Sequence, residues 1–130
     1  MAGRVLFFLH SGTFEPAYSA VSLGITAAAM GDEVYFVFSF DALRHLARDS
    51  FGVPRTEKEM AESARAEGLG VPAPMRMLQE ARALGARLIA CDTTVKICGY
   101  GPDDLEGKLD EVMGLASIWR LTESARVLTL

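Results

Sequence analysis

Ala83-Leu84-Gly85-Ala86-Arg87-Leu88-Ile89-Ala90-Cys91-Asp92-Thr93-Thr94-Val95-Lys96 holds a helix end, a buried strand, a thiol and a new helix start in one stretch. Gly85 suits the left-handed turn that ends a helix. Leu88-Ile89-Ala90 is apolar at consecutive positions, as expected of a strand covered on both faces. Cys91 closes that run, and the polar residues after it start a helix. Open α/β sheets place their chemistry at this carboxyl edge of the strands.

The same grammar recurs upstream. Met30-Gly31-Asp32-Glu33-Val34 repeats the joint Leu84-Gly85-Ala86-Arg87-Leu88. Each is preceded by a stretch of helical periodicity. Before the first, Ala17, Ala20, Val21, Gly24, Ile25 and Ala28 share a face, with Pro16 as a first helical residue. Before the second, the face is Met77, Leu78, Ala81 and Leu84, in a helix over 74–84. Further strands are expected at Val5–Leu9, Val34–Phe38 and Val127–Leu130, with a short one at 109–113 despite its polar Asp110 and Glu111. Apolar strands alternating with helices imply a parallel sheet in a three-layer α/β sandwich. The residues after the strands then line one crevice: His10, Ser11 and Gly12; Ser39 and Phe40; Cys91 and Asp92; Gly114.

Composition narrows the function classes. The chain has 130 residues, half of them hydrophobic, and reads as a single domain over 1–130. Net charge is −4 and the 13 basic residues are scattered, which argues against nucleic acid as a partner. No apolar run approaches the ~18 residues of a membrane helix. The start, Met1-Ala2-Gly3-Arg4, leads into a strand without the h-region of a signal peptide, so a cytoplasmic protein is expected. Two cysteines make no disulfide framework, and with two histidines they show no metal-ligand spacing. No metal and no cofactor is expected. Residues 49–73 depart from the alternation. They hold a capping box, Thr56 to Glu59, and then Gly68, Gly70 and Pro72, with Pro74 just after them. This surface excursion reads as a mobile loop, a lid or a subunit contact.

Several side chains are candidates for chemistry. Cys91 is the nucleophile, because a thiolate can attack and carry sulfur. A helix beginning near Asp92 aims the N–H groups of Thr93 and Thr94 towards that sulfur. Asp92 opposes this with its charge, and as the natural N-cap it takes the same donors. His10 stands after the first strand and would activate the thiol if strand order brings it across the crevice. Ser11-Gly12-Thr13 is either an anion-holding helix start or a plain turn. His45 reads as a surface residue paired with Asp41, and Trp119 with Leu115, Ile118 and Leu121 as core or subunit interface. Cys98 reads as a core residue. On one helix it stands about 10.5 Å from Cys91, beyond the reach of a disulfide.

The chain resembles the DsrE/DsrF-like family, which includes TusD-type sulfur-relay subunits. The resemblance rests on the opening strand with its Ser11-Gly12 turn, the joint Ala27 to Val34, and above all Ala83 to Cys91 with the short helix and Gly99-Tyr100 after it. It is greatest to the peroxiredoxin-like branch, although Thr93 and Val95 stand where that branch commonly has Met. The resemblance implies a five-stranded, mostly parallel sheet of the DsrEFH-like kind and a homotrimer or homohexamer. It also implies a persulfide carried on Cys91, with sulfur donor and acceptor proteins as partners. Two readings of function follow. One is a sulfur carrier or sulfurtransferase acting through Cys91, with His10, Ser11, Gly12, Thr93 and Thr94 around it. The other is a non-catalytic oligomeric interaction or regulatory module whose Cys91 is buried.

Overall fold

A computed structural model describes residues 3–130; the expected leaderless start at Met1 and Ala2 lies outside the described residues. Five strands form one sheet: β1 (Arg4–Leu9), β2 (Glu33–Phe38), β3 (Arg87–Cys91), β4 (Glu111–Met113) and β5 (Arg126–Thr129). Their order is β4-β3-β2-β1-β5, and all four pairings are parallel. The helices are α1 (Phe14–Ala29), α2 (Asp41–Ala47), α3 (Glu57–Gly68), α4 (Pro74–Ala83), α5 (Asp92–Ile97) and α6 (Leu115–Leu121), with a 3-10 turn at Pro102–Leu105.

The strand residues alternate between two apolar clusters, as the period-2 pleat requires. Val5, Phe7, Leu9, Val34, Phe36, Phe38, Leu88 and Ala90 point to the larger cluster, which buries side chains of α1, α2, α4 and α5. Leu6, Val37, Ile89 and Cys91 point to a smaller one, which Ile118 of α6 joins. The sandwich is therefore lopsided: several helices cover one face, and one short helix covers the other. Close approach on the larger face depends on Gly24. A Cβ there would lie 2.2 Å from Cζ of Phe36, so α1 reaches β2 only because that position has no side chain.

The two glycine joints are the same device. Gly31 and Gly85 have φ of +91° and +105°. Gly31 N–H donates to Ala28 O and Asp32 N–H to Ala27 O; Gly85 N–H donates to Arg82 O and Ala86 N–H to Ala81 O. These paired bonds close the last helical turn and hand the chain straight to a strand. Pro16 stands third in α1 rather than first, because Thr13 is the N-cap. It still lies in the first turn, where the missing N–H costs no helical bond. The capping box forms as expected: Glu59 N–H donates to Thr56 Oγ1, and Thr56 N–H to Glu59 Oε1. No residue of α3 is buried.

The polar residues that weaken β4 as a sequence pattern are what dock it. Asp110 Oδ2 accepts from Leu88 N–H at 2.8 Å, and Arg82 grips the same carboxylate at 2.6 Å. Arg87 Nη2 donates to Glu111 Oε1 at 2.8 Å across the β3–β4 pair. Burial alone would raise the Asp110 pKa, but the bonds from Arg82 and Leu88 and the Arg82 and Arg87 charges outweigh it, and the pKa is held below its ordinary value.

Candidate functional site

Strand order creates one switch point. After β1, β2 and β3 the chain crosses to the larger face, into α1, α2 and α5. After β4 it crosses to the other face, into α6. The neighbours β3 and β4 thus send their exits to opposite sides, the arrangement at which open α/β sheets place their sites; the cavity beside them is lined by Asp92, Val95, Lys96, Tyr100, Leu105 and Val112 and does not reach Cys91. Cys91 and Met113 end these strands and stand opposite each other in register. The thiol found from the sequence lies at the one place where the topology favours a site.

The local geometry differs from the expected one in two respects. Cys91 itself, not Asp92, is the N-cap of α5, and its side chain makes no capping bond. Asp92 is the first helical residue and pairs with Lys96 Nζ at 3.2 Å. Its carboxylate is therefore engaged one turn along the helix rather than over the N–H groups of Thr93 and Thr94. The Cys91 side chain points to the smaller face, among Leu6, Val37, Ile89 and Ile118, with Phe8, Tyr35 and Met113 half-buried around them. The residue is 5% exposed.

The other expected site residues are spread along the sheet edge. His10 follows β1, and β2 stands between it and β3. Two strand spacings separate those chains by about 9–10 Å. His10 is exposed and its N–H donates to Leu130 O, towards the opposite edge. Ser11 Oγ bonds Thr13 Oγ1 at 2.8 Å, a turn closed on itself. Gly12 N–H donates to Asp41 Oδ2 at 2.9 Å, so a carboxylate of this chain already fills the place of an anion. Thr93 is exposed at the surface of α5, whereas Thr94 is buried at 8% exposure. Thr93 and Thr94 follow Cys91 at the helix start, but their N–H groups make no bond to its side chain, and His10, Ser11 and Gly12 stay with β1.

One further residue takes another place than expected. His45 pairs with Asp41, Nε2 to Oδ1 at 3.5 Å, but it is buried and not at the surface. Its Nδ1 lies 2.8 Å from Ser50 Oγ and 3.1 Å from an Arg55 nitrogen. This polar knot ties α2 to the chain that leads into α3. Cys98 is half-buried at the end of α5, with Arg44 Nη1 3.6 Å from its sulfur. Trp119 is 75% exposed and Leu115 62%, so neither belongs to the core of the chain.

Phe40 is a feature that sequence reading placed in the crevice without seeing its conformation. Its φ of 45° and ψ of −109° are unusual for a residue with a side chain, and the ring is 41% exposed. Strain of this kind costs on the order of 1–3 kcal/mol and gathers at functional edges. Phe40 leaves β2, next to β3, so it stands beside the switch point. Met113 and Ile118 escaped notice as neighbours of Cys91, because parallel pairing across a crossover leaves no local signal in the chain. Ile118 alone among the residues of α6 is buried. Burying such a side chain is worth about 1.5–3 kcal/mol.

Two solved structures share this architecture. The crystal structure of the ychN protein from E. coli superposes with a TM-score of 0.63 over 100% of both chains, at 19% identity. MTH1491 from Methanobacterium thermoautotrophicum, a protein of unknown function, superposes with a TM-score of 0.57 over 98% of this chain and 99% of its own, again at 19% identity. The chain has the YchN-like fold. No family model and no curated protein matches the sequence.

Proposed function

We propose that this chain is a sulfur-relay protein of the DsrE/DsrF-like kind, related to its peroxiredoxin-like branch, that carries sulfane sulfur on Cys91. The observation that supports this reading is the position of Cys91: it ends β3 at the switch point and takes the N-cap position of the helix that follows. In the transfer, the Cys91 thiolate attacks the outer sulfur of a donor persulfide, R–S–SH. A Cys91 S–S bond forms, the donor S–S bond breaks, and the donor leaves as the thiolate R–S⁻. A second protein thiolate then takes the outer sulfur and returns Cys91 to its starting state. Each step exchanges one S–S bond for another, with no external oxidant. The cytoplasm, where thiols stay reduced, suits this chemistry.

The partners are a donor and an acceptor protein and further copies of the chain, as a homotrimer or homohexamer. The lopsided sandwich is consistent with assembly through the face that α6 covers, where Leu115 and Trp119 stand one helical turn apart and exposed.

The test is mass spectrometry after incubation with a sulfane-sulfur donor. Native protein gains about 32 Da on the Cys91 peptide, and Cys91→Ser gains nothing there. Failure of the native protein to load, under conditions that load an established carrier, removes this reading.

A second reading is favoured by one observation: Cys91 is 5% exposed and sits among hydrocarbon side chains. In it the chain is a non-catalytic oligomeric module and Cys91 fills space, as buried free cysteines do. Alkylation of Cys91 no faster than global unfolding supports this module.

A further inference from the structure

Resting on the sulfur-carrier reading, we propose that Ile118 is a positioning residue that controls access to Cys91: α6 is a cover pinned over the sulfur chiefly by this side chain, and transfer requires it to lift. Ile118 is 2% exposed and belongs to the same apolar cluster as Cys91, Ile89, Val37 and Leu6. Among the described helices, α6 alone contributes a buried side chain to that cluster. Leu121 and, past the helix end, Ala125 pack half-buried against the same cluster. Leu115, Ala116, Ser117, Trp119 and Arg120 are exposed.

A second tie is polar and sits at the far end of the helix. Arg4 Nη1 donates to Leu121 O at 3.3 Å. The flanks of α6 are two short turns. Gly114 caps its start without a side-chain bond, and open space surrounds the position its Cβ would take. Ser124, with φ of 56°, makes the turn into β5. A segment with one buried anchor opens locally long before the sheet unfolds. The sulfur is therefore shielded in the resting chain and reached when α6 swings away from the ends of β3 and β4.

The experiment uses the full chain with Cys98→Ser, so that one thiol remains. N-ethylmaleimide labelling is followed by intact mass, and circular dichroism melts establish that each variant is folded at the assay temperature. Ile118→Ala raises the labelling rate of Cys91 by about tenfold or more. Ile118→Val, which removes one methylene, acts in the same direction and less. Arg4→Ala, which spares the apolar cluster, also raises the rate. Equal rates in all four proteins overturn the proposal, and so does a parent protein that labels as fast as a free peptide thiol. Sulfur loading from a small-molecule persulfide is measured in parallel. Faster labelling of the variants with no sulfur gained by any of them leaves the cover standing and removes the carrier reading instead.

Discussion

Gly12 shows how one residue changes meaning between chain and fold. As part of Ser11-Gly12-Thr13 it reads as an anion-holding turn, yet its N–H is committed to Asp41 Oδ2 and its Cα packs on a buried histidine. A Cβ at this position would lie 2.6 Å from Cβ of His45 and 2.7 Å from Cδ2. Neither atom is the free end of a flexible side chain, so α2 would have to retreat. Gly12→Ala is expected to cost about 1–3 kcal/mol in urea unfolding. It should leave sulfur loading on Cys91 unchanged in the folded protein, since β2 separates the two. A loss of loading at full stability would return Gly12 to the site. Cys91 itself keeps the place the sequence suggested, at a strand end and a helix start. Its surroundings are drier than that position implies, because the side chain faces the apolar side of the sheet.

Secondary elements here are set by local rules that can be read directly, with β4 the instructive exception. Alternating apolar runs, the Gly31 and Gly85 stops and the Thr56–Glu59 capping box all form where the sequence puts them. β4 has three residues and depends instead on ion pairs made far along the chain, Asp110 with Arg82 and Glu111 with Arg87. The Asp110 pKa is depressed, so its contribution is complete above the unfolded value near 3.8 and is lost as pH falls through the lower folded value. Asp110→Asn is expected to destabilise the protein by about 1–3 kcal/mol at neutral pH. The gap between the two proteins should begin to narrow on acidification below about pH 4 and close only below the lower folded value, where folded wild type is protonated too. Denaturant titrations at pH 7, 5 and 3 test this; a constant gap across that range would show that the charge on Asp110 contributes nothing.

At the level of the assembled chain, the unequal covering of the sheet is the dominant fact. The order β4-β3-β2-β1-β5 puts three successive crossovers on one face and leaves α6 nearly alone on the other. If that face joins copies of the chain, Trp119→Glu should shift the sedimentation profile to a smaller species, because a charge at an apolar contact is costly to bury. Each folded chain should keep its helical content, since Trp119 is 75% exposed within it. An unchanged profile moves the contact elsewhere.

Taken alone, the amino-acid sequence determined the parallel α/β class, the elements and their joints, and a cysteine at the carboxyl edge, because each of these depends on neighbours within a few residues. The packed chain settled which strands adjoin and which way Cys91 faces. It also parted His10 from the thiol and put Ile118 in the cluster that covers it. Those outcomes depend on pairings across crossovers and on the two-residue pleat, where one strand inserted between two others moves a side chain by about 5 Å and a one-residue shift turns it to the opposite face.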